Sequence, residues 1–580
     1  MNNRTLNYTL AIVTTLAISA TTTTVAAPPP SPSFNWQTVV NNGDYIPTAN
    51  CNPTTSTAPP CRKYNSYNQP SVNEKKLVVF RARSKGGSGG EPVHGVYTRD
   101  MNTGGAIVKI LDRATTLVPN PNNQSSTFIE PPSFPRIDMT SSMIATRGNH
   151  QPVWEYTLPD DTDTKVGTTG IYTNPFGSLI TGASKLGAVP DFSFFQVPEF
   201  PGIPFDVFPG SPAVTKGSTI VFKGNYTVNL IGKTGVYYRD LKKQAIDGGT
   251  QPVVLIANNT HTLIPGTKEL FGSTAPPSAV KQQAVFAGFD NEENPTAGGI
   301  YLAPLKPYKL NKQPNLKALV SIGSQVPGEP KNTKFNKLGE GVSFDGHFVA
   351  FWGAWGAENK TVRLYCPEEG NKDRKAYCMS TASGSLQDSV GWYQEKQVPI
   401  NQGVFVHDLK NGKNVRIART VGKDGFSDFV YWNFSGRAPG AGEGSEGDDG
   451  ELARWRSASF MAVSGKVDDH EDDDDVSYHT AFKARTGSTD ANNVYVNPVD
   501  GIYLKKGTEK SPLVTLVETG MDGTLVDAEA IDIATNTTLP VTEMGLERDG
   551  FRGNSLAINV SMGTEAAGWA GIYLTRVPEH

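Results

Sequence analysis

The tripeptide Gly-(Val/Ile)-(Tyr/Phe) occurs seven times in this 580-residue chain, at Gly95-Val96-Tyr97, Gly170-Ile171-Tyr172, Gly235-Val236-Tyr237, Gly299-Ile300-Tyr301, Gly403-Val404-Phe405, Gly501-Ile502-Tyr503 and Gly571-Ile572-Tyr573. Successive glycines lie 75, 65, 64, 104, 98 and 70 residues apart. That period is too long for one solenoid turn and suits a four-stranded propeller blade carrying loops. Seven copies of one strand predict seven similar sheets. With 59 Gly, 41 Pro, many Val/Ile/Tyr/Thr runs and no long helical periodicity, the chain reads as all-β, with short strands joined by turns. A repeat running almost end to end favours one ring over several domains.

The third copy shows the unit most clearly. Four strand signals follow in order: Phe205 to Val214, Thr219 to Phe222, Gly235 to Tyr238 and Pro252 to Ile256, then a Pro265-Gly266 turn into the next unit. The seventh copy stops at His580 without a fourth strand, whereas Trp36 to Pro47 resembles an orphaned fourth strand. Residues 36–47 are therefore expected as the outer strand of blade seven, giving a seven-bladed β-propeller closed by an N-terminal strand.

Each unit also carries an apolar strand ending in Phe-x-(Ala/Gly), as in Val79-Phe80-Arg81-Ala82, Val221-Phe222-Lys223-Gly224, Val285-Phe286-Ala287-Gly288 and Ala350-Phe351-Trp352-Gly353, and a terminal (Val/Ile)-Pro-Gly. Together these signatures resemble the secreted bacterial tandem-repeat propeller proteins and, more distantly, TolB-type propellers. The resemblance implies the architecture over nearly all of residues 28–580. It implies no activity, because such families are functionally mixed.

Arg4, an apolar and threonine-rich run from Leu10 to Ala20, and small residues up to Ala26-Ala27 have the order of a secretory signal peptide, assigned to residues 1–27. The remaining chain is expected to be secreted or periplasmic, with no membrane span, as a monomer. Four cysteines in such a chain predict disulfides, by local pairing of Cys51 with Cys61 and Cys366 with Cys378. A formal net charge of -4 gives no reason to expect nucleic acid as a partner.

In a propeller, the loops from second to third strand and the crossings between blades open on one face. The long connections here are of those kinds: insertions at 354–402 and 464–500, a medium one at 149–169, and a Phe/Pro-rich crossing at 188–204. Function is expected on that face. Three clusters stand out there.

His94, Arg147, His150 and Tyr156 supply a base and a carboxylate-neutralising arginine, the equipment for β-elimination on a uronate. The same residues serve equally as turn-capping histidines and a surface charge. Trp154, Trp352, Trp355, Trp392 and Tyr393, with Phe192, Phe194 and Phe195, offer aromatic faces for sugar rings, or else pack the insertions onto the blades. The run containing Asp468, Asp469, Asp472 and Asp474 could gather Ca²⁺, or form a solvated acidic loop.

These readings favour a binding protein for an extracellular ligand, a polysaccharide or surface glycan foremost and a protein second. A polysaccharide lyase acting on a uronate-containing glycan is the alternative. Catalysis requires His94, Arg147 and His150 to converge; binding requires only aromatics on one face.

Overall fold

In the computed structural model, which describes residues 34–47, 61–86, 92–113, 115–242, 251–305, 313–368, 371–436, 438–439, 452–466 and 477–578, each tripeptide copy lies on the third strand of its own antiparallel sheet. Seven sheets of four or five strands result among the described residues, and they form a seven-bladed β-propeller. Blade three runs Ala213–Thr215, Thr219–Val228, Ile231–Asp240 and Val254–Asn258, each paired with the next. Its second strand outruns the expected Phe222, because a tight turn at Asn229-Leu230, both with positive φ, lets the hairpin continue to Val228 and Ile231. Its first strand starts late, at Ala213. Pro209 and Pro212 offer no N–H to a ladder, so Val207 makes only an isolated bridge to Asn225.

The repeat signatures describe one packing unit. In blade three Phe222 lies tilted on Tyr237 at 6.0 Å, while Phe205 meets the same tyrosine edge-on at 4.9 Å. Blades one (Tyr64, Phe80, Tyr97), four (Phe271, Phe286, Tyr301), five (Phe335, Phe351, Phe405) and six (Phe426, Phe482, Tyr503) repeat the trio with edge-on distances of 5.2, 5.3, 4.9 and 4.9 Å. Such pairs add about 0.5–1.5 kcal/mol each beyond the area they bury. The trio explains the small residues around it. A Cβ on Gly235 would sit 2.5 Å from the Tyr237 hydroxyl, and one on Gly224 would sit 2.6 Å from the Phe205 ring.

Blade seven takes its outer strand from the N-terminal side. Trp36–Asn41 pairs antiparallel with Gly568–Arg576, from Trp36 opposite Thr575 to Asn41 opposite Gly571. Val39 and Val40 are fully buried there, and the Asn41 amide donates to Asp527 at 2.9 Å.

The innermost strands close a second ring. Ser71–Val72, Arg136–Ile137, Ala213–Thr215, Ser278–Val280, Phe335–Phe344, Met461–Lys466 and Phe551–Arg552 each touch the next, and the last touches the first. The axis inside this ring is occupied by charge. Arg136 of blade two, fully buried, donates to Glu547 at 2.6 Å and Asp549 at 3.3 Å of blade seven, and to the Pro277 carbonyl of blade four at 3.2 Å. Arg552 donates to Asp549, and Arg548 reaches the Pro276 carbonyl at 2.9 Å. Blades that are not neighbours thus bond directly across the centre.

The stretch 464–500 is not an insertion between second and third strands. Most of it is ladder, with Ser477–Thr489 paired to Tyr495–Lys506, because alternating apolar and polar residues extend both strands past the blade. Met461–Lys466 is an inner strand, so the strands flanking the acidic run are the first and second of blade six. Asp468, Asp469, Asp472 and Asp474 lie outside the described residues, as does Cys51. Cys366 and Cys378 form a disulfide. No helix among the described residues is long and apolar enough to cross a membrane.

Candidate functional site

Two raised structures stand on the face where blade crossings and second-to-third-strand loops open. The first belongs to blades two and three. Trp154–Thr157 and Asp163–Val166 pair as a hairpin, and the Trp154 ring meets Phe192 edge-on at 4.8 Å. Phe192 lies in the 3₁₀ segment Pro190–Phe195 of the crossing, where Pro190 favours a helical start. Phe194 and Phe195 hold that segment down by stacking on the Arg239 guanidinium at 5.1 and 4.9 Å. Arg239 is fully buried and donates to the carbonyls of Gln251 and Gly182, both at 2.7 Å; burial pushes its pKa down to about 9.

The second belongs to blades five and six. Phe348–Tyr365 and Trp392–Asp408 continue their ladder beyond the blade, up to Tyr365 opposite Tyr393. The Cys366–Cys378 disulfide and the short helix Lys372–Cys378 complete the tip, with the Asn371 side chain capping the Arg374 N–H at 2.9 Å. A second hairpin, Tyr431–Ser435 with Arg454–Ala458, grows out of the inner strand of blade six between Asp428 and Met461. Phe434 of this hairpin is buried against the disulfide, with Trp455 and Trp392 alongside. Arg454 then ties it to Glu292 and Glu293 of blade four, at 2.6 Å each.

The seam between these two blades is polar. Asp428, completely buried, accepts from Gln402 and Tyr495 at 2.6 Å each and faces Lys360 at 2.7 Å. Gln402 in turn accepts from the Trp352 indole at 3.2 Å. Arg485 sits over Tyr495 at 4.4 Å and Tyr431 at 5.0 Å while bonding Asp500 at 2.7 Å. Arg363 stacks on Tyr393 at 4.0 Å and pairs with Asp388 at 2.8 Å. Cation–aromatic contacts of this kind hold the aromatic rings in fixed orientations.

Of the aromatics singled out in the sequence, Trp154, Trp392 and Tyr393 are half-buried on these structures. Trp352 and Trp355 are core residues, 7% and 5% exposed, the second edge-on to Phe405 at 6.0 Å. Tyr156 lies half-buried on the same hairpin as Trp154, against the core between blades one and two.

The catalytic candidates do not share one cleft. His150 is 3% exposed; its Nε2 meets the Tyr172 hydroxyl at 2.5 Å and its Nδ1 the Gln151 carbonyl at 2.8 Å. Burial pushes its pKa down to about 4, and both ring nitrogens are engaged inside the fold. Arg147, an odd number of residues away, faces the other side of the sheet and donates to the Phe208 carbonyl of blade three at 3.2 Å. His94 opens the third strand of blade one, half-buried, and its pKa is lowered by burial and then by Arg81. Among the described residues no three His, Cys, Asp or Glu side chains are placed to hold a metal.

Sequence reasoning missed Lys360, Arg363 and Arg485 and the hairpin from blade six. The hairpin had a signal: Trp432-Asn433-Phe434 and Arg454-Trp455-Arg456 alternate aromatic with polar on either side of a Gly-rich stretch.

No described protein family and no curated relative matches the chain. Among solved structures it is similar to the β-propeller domain of the trilobed protease from Pyrococcus furiosus (8% identity, TM-score 0.30, over 90% of this chain and 95% of that one). It is also similar to an α-L-arabinofuranosidase from Podospora anserina in complex with cellotriose (8% identity, TM-score 0.22, 63% and 89%). A third is fructan 1-exohydrolase IIa from Cichorium intybus (9% identity, TM-score 0.25, 84% and 91%). The fold assignment rests on the strand pairing described above.

Proposed function

We propose that the protein binds an extracellular glycan on its loop-rich face. The reading is carried by Trp154, Trp392 and Tyr393, partly exposed aromatics fixed in place by Phe192, the Cys366–Cys378 disulfide and Arg363 respectively. Rings already held rigid lose little entropy when they stack on a sugar, so each can add to affinity without ordering a loop. No observation favours β-elimination, since His150 is sealed by Tyr172 and Gln151 and lies in a different blade from His94.

Glycan-array screening followed by calorimetry tests the reading. Trp154→Ala and Tyr393→Ala are each expected to weaken a retained glycan about tenfold, or roughly 1.4 kcal/mol. Retention of no glycan, or equal affinity in both variants and the parent, would overturn it.

A further inference from the structure

A cavity of about 340 Å³ opens on the same face at the closure of the ring, lined by Asn42 after the N-terminal strand, by Arg62, Lys63, Tyr64 and Asn65 entering blade one, and by Lys85 leaving its second strand. Three of these side chains are cations and none is an acid. Tyr64 is 2% exposed, yet its hydroxyl has no hydrogen-bond partner. Burial keeps that hydroxyl protonated and therefore a donor. Asn42 already accepts from the Tyr67 hydroxyl at 3.1 Å, which leaves its NH₂ for another acceptor.

The positive character continues along the edge of blade one. His94 is held below its usual range by burial first, then by Arg81, with Arg83 and Arg113 adding to it against Glu130 alone. This concentration of cations occurs in a chain whose formal net charge is -4. It is a local feature of the closure, not of the composition.

Resting on the glycan reading above, we infer that this cavity takes an anionic sugar unit, bearing a carboxylate or a sulfate, as part of the ligand. Its volume falls at the small end of ligand pockets, enough for one or two sugar rings. The exposed Lys63 and Lys85 ammonium groups, with the Asn42 NH₂, match an acceptor-only group. The closing strand thus contributes to recognition as well as to the fold.

The test immobilises acidic polysaccharides, each beside its own carboxyl-reduced or desulfated product, and measures binding of the full chain at low and high salt. The acidic form is expected to bind at least about tenfold tighter, with an affinity that falls as salt rises. Loss of preference on carboxyl reduction identifies a carboxylate, and loss on desulfation a sulfate. Lys63→Ala/Lys85→Ala should abolish the preference without shifting thermal unfolding, since both lysines are exposed; Lys85→Gln alone should reduce it. Acidic and neutralised forms binding within about twofold of each other would overturn the inference and leave glycan binding standing. No binding of either form would overturn both. Single-stranded DNA binding as tightly as the acidic glycans would also overturn it, because charge alone would then suffice.

Discussion

Replacing Arg136 with methionine tests whether the charges on the axis hold the blades together. The guanidinium is fully buried and makes three charge-assisted hydrogen bonds, to Glu547, Asp549 and the Pro277 carbonyl. At about 1.5–3 kcal/mol for each charged bond, the loss is bounded at about 9 kcal/mol. Methionine also removes the cost of desolvating the guanidinium, and the carboxylates retain Arg548 and Arg552, which brings the expected destabilisation to about 3–5 kcal/mol. Guanidinium denaturation followed by tryptophan fluorescence should show that loss with an unchanged m-value. Adding Glu547→Gln to Arg136→Met neutralises one of the two carboxylates left short, so the double variant should recover part of the loss, a coupling of about 1–3 kcal/mol. A single variant within about 1 kcal/mol of the parent, or a double variant less stable than the single, would refute the reasoning.

Val39→Ala/Val40→Ala should cost about 4 kcal/mol, from two fully buried side chains losing two methyl-sized groups each, and should make Gly568–Arg576 protease-sensitive; full resistance would count against the closing strand. His150 has a folded pKa near 4 against 6.5, so its contribution is present above pH 6.5 and lost as pH falls toward 4, roughly 3 kcal/mol in all. Unfolding free energies of the parent and His150→Gln, measured from pH 7 to 4, should converge on acidification; parallel curves would contradict this. Tyr97→Phe removes a buried hydroxyl that bonds nothing and is expected to be neutral or slightly stabilising, whereas Tyr573→Phe takes a 2.9 Å bond from buried Asp527 and should cost about 1–3 kcal/mol; the reverse order of melting temperatures would be incompatible.

The ring was legible because its signals are local and repeated. Gly235 and Tyr237 are two residues apart, and their contact recurs with little variation, so counting tripeptides counted blades. The closing strand was legible through an absence, a fourth strand missing after Tyr573. The axial ions were not. Arg136 and Glu547 are 411 residues apart, and nothing near either one in sequence announces the other. Trp352 stayed open between ligand contact and packing for a related reason: its partner Gln402 lies 50 residues away, so a tryptophan bonded inside the core looks the same in sequence as one facing a ligand. The pocket at the closure combines both difficulties, since Asn42 and Lys85 meet only once the ring is shut.

The pairing of Trp36 with Thr575 also has a consequence for how the chain is made. Synthesis runs from the N-terminal side, so Trp36–Asn41 emerges long before its partner Gly568–Arg576. Until residue 576 is available, that strand has no ladder to join, and the outer edge of blade seven does not yet exist. Blades one to six can form in order as they appear, each from contacts close in sequence. The closing step must wait for Gly568–Arg576, which makes any chain released before that strand an open arc with two unpaired edges.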